Sequence, residues 1–88
     1  MKIEVRTPTK EELEKLNVES WPIWECEPSE FDWEYDEDEQ CYFLEGKVKV
    51  VTDKEEIDIK KGDFVKFPKG LKCKWIVYEK VKKHYSLG

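Results

Sequence analysis

No alanine occurs in this 88-residue chain, and histidine, arginine, glutamine and asparagine occur once each, as His84, Arg6, Gln40 and Asn17. Cysteine is scarce and odd in number: Cys26, Cys41 and Cys73, with no C-x-x-C spacing and no Cys/His cluster. That argues against a disulfide framework and against a structural zinc site. A reducing cytoplasm is the compartment expected for such a chain. No apolar run approaches the roughly 18 residues of a spanning helix, so no membrane partner is expected. The opening alternation Ile3-Glu4-Val5-Arg6 is not that of a signal peptide.

Without alanine, every apolar residue that enters the core is a bulky side chain or a cysteine. Hydrophobic residues make up 39%, including four Trp, four Tyr and four Phe. Each aromatic can bury about 150–250 Å², which offsets the poor surface-to-volume ratio of a small chain. This composition excludes a disordered protein and predicts one domain over residues 1–88. Lys and Glu number fifteen each, with few thermolabile amides, a bias that points to a thermophilic source.

The net charge is −5, unevenly spread. Residues 16–46 carry eleven acidic and no basic side chains, whereas residues 47–88 carry twelve basic and six acidic ones. There is no overall basic excess and the lysines are spaced along strands, so no nucleic-acid partner is expected. Two oppositely charged edges that pair within the fold or across a homodimer are favoured over an acidic docking surface.

Hydrophobic patterning is dominated by period two. Thr9-Lys10-Glu11-Glu12 matches a capping box and predicts one short helix of about two turns, ended by Asn17. Residues 3–5 read as a strand. In Phe31–Asp36 three aromatics alternate with three acids. Cys41–Leu44 is a continuous apolar run, predicted to be buried on both faces. Glu45-Gly46-Lys47 reads as a turn, and alternating segments follow at 47–50, 57–59, 64–67, 71–78 and 81–86. Eight or nine short strands joined by short turns predict an all-β sandwich or barrel.

Gly62, Pro68, Gly70 and Cys73 stand at the spacing G-x5-P-x-G-x2-C, and Glu39 and Gly46 at E-x6-G. These spacings resemble the two cupin motifs, G-x5-P-x-G-x2-H-x3-N and G-x5-H-x-H-x3,4-E-x6-G. Tyr35 and Trp33 then fall at the two histidine positions of the first motif, and Cys73 at that of the second. Trp21-Pro22-Ile23-Trp24, Lys61-Gly62-Asp63 and Lys83-His84-Tyr85 extend the likeness. The chain resembles the small single-domain cupins of the ureidoglycine-aminohydrolase and ethanolamine-utilisation-like group, including short uncharacterised cupins of hyperthermophilic bacteria. The resemblance covers about residues 3–88. It implies a small jelly-roll β-barrel with one short N-terminal helix, and a barrel mouth lined by Trp33, Tyr35, Glu39 and Cys73.

Strand parity adds Cys41 beside Glu39, and Trp75 beside Cys73, giving an aromatic box with one carboxylate and two thiols. The ligand-binding set is thus Trp33, Tyr35, Glu39, Cys41, Cys73 and Trp75. A cupin metal centre normally uses three imidazoles and a carboxylate, and no imidazole stands at those positions. No metal or other cofactor is expected; were one bound, Glu39, Cys73 and Cys41 would be its ligands, although free Cys usually behaves as a small buried hydrophobe. Glu39 is either a water-bonded carboxylate at an open mouth, or a general acid/base or the partner of a ligand amine. Val81, Lys83 and Tyr85 share a face. Lys83 either points inward to pair with Glu39, or buries only its stem and snorkels to solvent, the second being slightly favoured. His84 is expected to face away from the pocket, Trp21 and Trp24 either to line the mouth or, the favoured reading, to pack in the core or at a dimer contact, and Asp36-Glu37-Asp38 to form a solvated loop tip.

The function expected is small-molecule binding in a pocket lacking the usual metal-binding histidines. Two alternatives stand beside it: an enzyme acting on a small nitrogenous metabolite, with Glu39, Lys83 and Tyr35 as catalytic residues, and a structural or partner-binding cupin.

Overall fold

The computed structural model of the chain describes residues 2–88. Strand β1 (Glu4–Arg6) leads to helix α1 (Lys10–Leu16) and a 3₁₀ turn at Val18–Ser20. Six strands follow: β2 (Ile23–Cys26), β3 (Ser29–Glu34), β4 (Glu39–Val51), β5 (Glu56–Lys60), β6 (Phe64–Phe67) and β7 (Lys72–Leu87). The helix begins and ends where the sequence directs. The Thr9 hydroxyl accepts the Glu12 N–H at 3.2 Å, and Asn17 closes the helix in the left-handed conformation, φ 54°. The reciprocal half of the capping box does not form, because the Glu12 carboxylate pairs with Arg6. No residue of α1 is buried, so the helix decorates the barrel without building it.

The two long strands are the frame. β4 and β7 run antiparallel from Glu39 opposite Leu87 to Val51 opposite Lys74. The first part of β4 also pairs with β6, and β6 with β1. Its second part pairs with β5. β7 divides likewise, pairing with β3 near its start and with β2 near its end. Bulges between Phe43 and Val48 break the register midway and let one strand pair serve both halves of the barrel.

The strand count is therefore seven among the described residues, not eight or nine. Glu45-Gly46-Lys47 is no turn. Gly46, at φ 103°, lies within β4, where a Cβ would stand 2.5 Å from the Lys80 carbonyl oxygen and 2.8 Å from Val81 Cα. The glycine marks a close approach of two backbones at the bulge, not a chain reversal. The segments read at 71–78 and 81–86 are likewise one strand. β2 was not legible, since Pro22 precedes it and Ile23 and Glu25 both face solvent.

The core is aromatic. Phe43 and Phe67 are fully enclosed, Trp75 is 2% exposed, and Tyr35 stacks on Phe67 at 4.7 Å between ring centroids. Of the apolar run in β4, Cys41 and Phe43 are buried and Tyr42 and Leu44 only half-buried, so one face alone is sealed. The charge asymmetry is answered within the fold: Glu30 pairs with Lys74 at 3.6 Å and Glu27 with Lys80 at 3.7 Å, while Glu25 stands opposite Lys82. These pairs are exposed and each stabilises by about 0–1 kcal/mol.

Gly46→Ala is expected to cost about 2–4 kcal/mol in urea unfolding, from backbone strain plus the clash with Lys80 and Val81. Gly62→Ala, also at positive φ but with nothing within 4 Å of a Cβ, should cost about 1–2 kcal/mol. Equal losses would mean that the close approach contributes nothing.

Candidate functional site

A cleft of about 320 Å³ opens between β2, β3 and β7, with Glu39 at its floor. Each wall follows from strand parity. β3 supplies Phe31 and Trp33, and the chain after it places Tyr35 on the same side. β7 supplies Trp75, Lys83 and Tyr85, and β2 supplies Trp24. Trp24 stands directly opposite Lys83 in the β2–β7 register, which sets its indole against the lysine side chain.

Lys83 is 5% exposed and Glu39 8%. Lys83 Nζ donates to Glu39 Oε2 at 2.8 Å and lies 3.3 Å from Cys41 Sγ. The Cys41 thiol donates to the same Glu39 oxygen at 2.8 Å. Four rings surround the ammonium, with centroids at 4.8 Å (Trp75), 4.9 Å (Trp24), 5.8 Å (Phe43) and 6.0 Å (Phe67). An ammonium in an apolar wall is tolerable only with such compensation: a carboxylate in direct contact and the negative faces of aromatic rings. Lys83 thus points inward and does not snorkel. Parity tells which side chains share a face of β7; only the closed barrel tells which face is inside.

Of the residues expected to line the pocket, Trp33, Tyr35, Glu39 and Trp75 do so, with Cys41 directly beneath Glu39. Cys73 does not. It pairs in register with Trp33, its thiol turns to the Trp33 carbonyl at 3.7 Å, and it lines a shallower hollow with Val51 and Thr52. Trp24, expected to pack in the core or at a dimer contact, is a wall of the cleft. Trp21 does pack away from it, 6.2 Å from Phe64. His84 faces away, with Nδ1 2.9 Å from the Trp21 carbonyl oxygen. Asp36 and Glu37 are exposed as expected, and with Glu34 they form the acidic rim of the cleft. That rim, together with Phe31 and Tyr85, escaped the sequence reading, and Trp24 stood at the mouth only as the less favoured alternative. The aromatic–acidic alternation of β3 was the signal for Phe31, which shares the parity of Trp33 and Tyr35, whereas Glu34 has the opposite parity and no signal placed it at the rim.

The donor set does not suit the divalent metal centre that the resemblance to cupins would imply. Two candidate ligands, Glu39 and Cys41, are already bonded to an ammonium, and the third, Cys73, lies elsewhere. Among the described residues no three His, Cys, Asp or Glu side chains converge on a point that could hold a metal ion.

Burial keeps the pocket's weak acids protonated. The Tyr35 phenol is held well above its ordinary range by desolvation first and then by the Glu39 charge. Desolvation also raises the Cys41 thiol, against the opposing pull of Lys83. The Cys73 thiol is pushed up to about 11, chiefly by burial and also by Asp32. Tyr35 and Cys41 are therefore hydrogen-bond donors at neutral pH, and Glu39 accepts from Cys41. The Trp75 indole N–H, buried beside Tyr35 and Cys73, has no hydrogen-bond partner among the described residues.

Two predictions follow from this electrostatic arrangement. Lys83→Met leaves the buried Glu39 carboxylate without its cation and should lower the unfolding free energy by about 3 kcal/mol, with partial recovery in the Glu39→Gln/Lys83→Met double variant. Strictly additive losses in urea titrations would show the pair to be uncoupled. Groups whose folded pKa is raised stabilise fully below their unfolded value and lose that contribution as pH rises. Stability attributable to Cys73 should thus hold to its ordinary value of 9.0 and decline from there to about 11. Cys73→Ser should flatten that part of the urea-midpoint profile, and an unchanged slope would sink the assignment.

Comparison with known proteins places this geometry. A DUF861 family protein of Thermotoga maritima, solved by crystallography, is 56% identical over 99% of this chain and 100% of its own, with a TM-score of 0.97. The Clostridium difficile EutQ protein is 25% identical over 72% of this chain, TM-score 0.66, and a putative ethanolamine utilization protein Q of Salmonella typhimurium 27% over 72%, TM-score 0.65. The matches span about half of each of those two longer chains (50% and 51%). A search of curated proteins finds no match. No helix among the described residues is long and apolar enough to cross a membrane. The family model of the EutQ-like cupin domain matches residues 13–85, and the chain belongs to that family.

Proposed function

We propose that this chain is a small-molecule-binding cupin whose cleft works through a fixed Lys83–Glu39 pair in the position where other cupins hold a metal. One observation carries the reading. Glu39 gives one oxygen, Oε2, to Lys83 and Cys41, while Oε1 has no partner among the described residues, in a cleft walled by Trp24, Phe31, Trp33 and Tyr35. A concave, mostly apolar site with a few convergent polar groups is the usual form of a metabolite pocket, and this one lies at the small end of the range. No cofactor belongs to the reading. A cytoplasmic location does, supported by three free cysteines. A homodimer is not needed to complete the cleft, since one chain supplies every wall described.

The second reading is an enzyme acting on a small nitrogenous metabolite. It is favoured by the same free oxygen, which can accept a proton from a bound ligand while Lys83 stabilises negative charge beside it. Tyr35 then serves as a donor, because burial holds its proton in place.

Protein purified without chelators or a His tag, then incubated with Zn, Mn, Fe and Ni, should carry metal well below one equivalent by elemental mass spectrometry. Stoichiometric metal that is lost in both Glu39→Ala and Cys41→Ser would overturn the reading. Glu39→Gln separates the two functions: it should weaken ligand binding in the first and abolish turnover in the second.

A further inference from the structure

The charges lining the cleft are lopsided. Glu34, Asp36, Glu37 and Glu39 carry four negative charges, and Lys83 is the one basic side chain among the lining residues. Lys83 does not offer its charge freely. Two of its contacts are Glu39 Oε2 and Cys41 Sγ, and the rings of Trp75 and Trp24 lie within 5 Å of its nitrogen. A ligand entering the cleft therefore meets Glu39 Oε1 and the acidic rim before it meets the ammonium. Glu39 is more than nine-tenths buried, yet Oε1 is neither paired nor closed off among the described residues. Oε1 is a pure acceptor at its ionised state and calls for an N–H or O–H donor. The remaining walls, Phe31, Trp33 and Tyr35, present π-systems that favour a cation over an anion.

We infer that the cleft selects small organic cations bearing N–H protons, bound with the ammonium on Glu39 Oε1 and the apolar portion against the rings of Trp33 and Tyr35, and that it rejects carboxylates of similar size. This rests on the cleft being a small-molecule site, and the test separates the two claims. A carboxylate would have the Tyr35 phenol and the remaining proton of Lys83 as its donors, and it would reach them only past three rim acids and beside the Glu39 carboxylate itself. A fixed field of one sign raises the local concentration of the opposite ion, and the preference should weaken as salt screens the exposed rim.

Benzylammonium, benzamide and benzoate each carry one polar group on a phenyl ring, are of similar size and differ in charge. Their binding can be followed by the indole N–H signals in two-dimensional NMR, because Trp24, Trp33 and Trp75 line the cleft and Trp21 lies outside it. Benzylammonium should bind at least about tenfold more tightly than benzoate, moving the three cleft indoles and leaving Trp21 still. Neutralising the exposed rim, Glu34→Gln with Asp36→Asn and Glu37→Gln, should shrink that ratio several-fold without touching the buried pair, as raised salt should in the unmodified protein. Benzyltrimethylammonium, which has no N–H, should bind more weakly than benzylammonium. Equal affinities, or tighter binding of benzoate, would overturn the inference and leave the small-molecule reading standing. Failure of all the probes to move the cleft indoles at millimolar concentration would overturn both.

Discussion

An ammonium placed inside a barrel of 88 residues is the constraint to which the rest of this structure answers. Stripping Lys83 of water would cost several kcal/mol if it were left alone. Three features offset that cost: the Glu39 carboxylate, the Cys41 sulfur and the rings within about 6 Å of the nitrogen. Each needs a particular strand in a particular register. Glu39 and Cys41 share a face because they are two residues apart on β4, and Trp24 meets Lys83 because β2 joins the edge of β7 opposite that residue. The alanine-free, aromatic-rich composition serves the same end. In so small a chain only large rings can both close the core and surround a cation.

The frame that holds the pair is one long antiparallel ladder. β4 carries the carboxylate and thiol, β7 carries the lysine and Trp75 and pairs with β3, and bulges between Phe43 and Val48 shift the register between the two long strands. Gly46 lies within that bulged stretch. The backbone of Lys80 and Val81 occupies the space of its missing side chain, three residues from Lys83 in the case of Lys80. A glycine at the end of a cupin-like motif thus serves the site by letting β7 lie close, without touching the cleft.

Much of this was legible in the sequence, and the misses have physical causes. Motif spacing around Gly62, Pro68 and Gly70 indicated the fold, and parity grouped Glu39 with Cys41 and Lys83 with Tyr85. Parity cannot tell inside from outside, so Lys83 stayed ambiguous until the barrel was closed. It also fails where a strand has no alternation of its own. β2 has two exposed residues out of four and a proline before it, so Trp24 was read as core or dimer packing. Cys73 was misplaced for another reason. Its position in the motif was right, but with no imidazole to reach into the mouth, a short thiol settles on the nearest acceptor, the Trp33 carbonyl.

In the proposed reading a lysine stands where other cupins hold a metal, and that changes what such a cleft can do. A bound divalent ion offers open coordination positions and can lower the pKa of bound water to give a nucleophile near neutral pH. An ammonium has three protons and no vacant orbital. Two of Lys83's protons are directed at Glu39 and Cys41, which leaves one for a ligand. Lys83 can therefore fix the Glu39 carboxylate and stabilise charge beside it, but it cannot itself generate hydroxide. In that reading the chemistry left to the side chains around it is recognition and proton transfer, both centred on Glu39 Oε1. Trp33 and Tyr35, at the positions where other cupins have histidines, suit that change: they contribute ring surface and one firmly held phenolic proton.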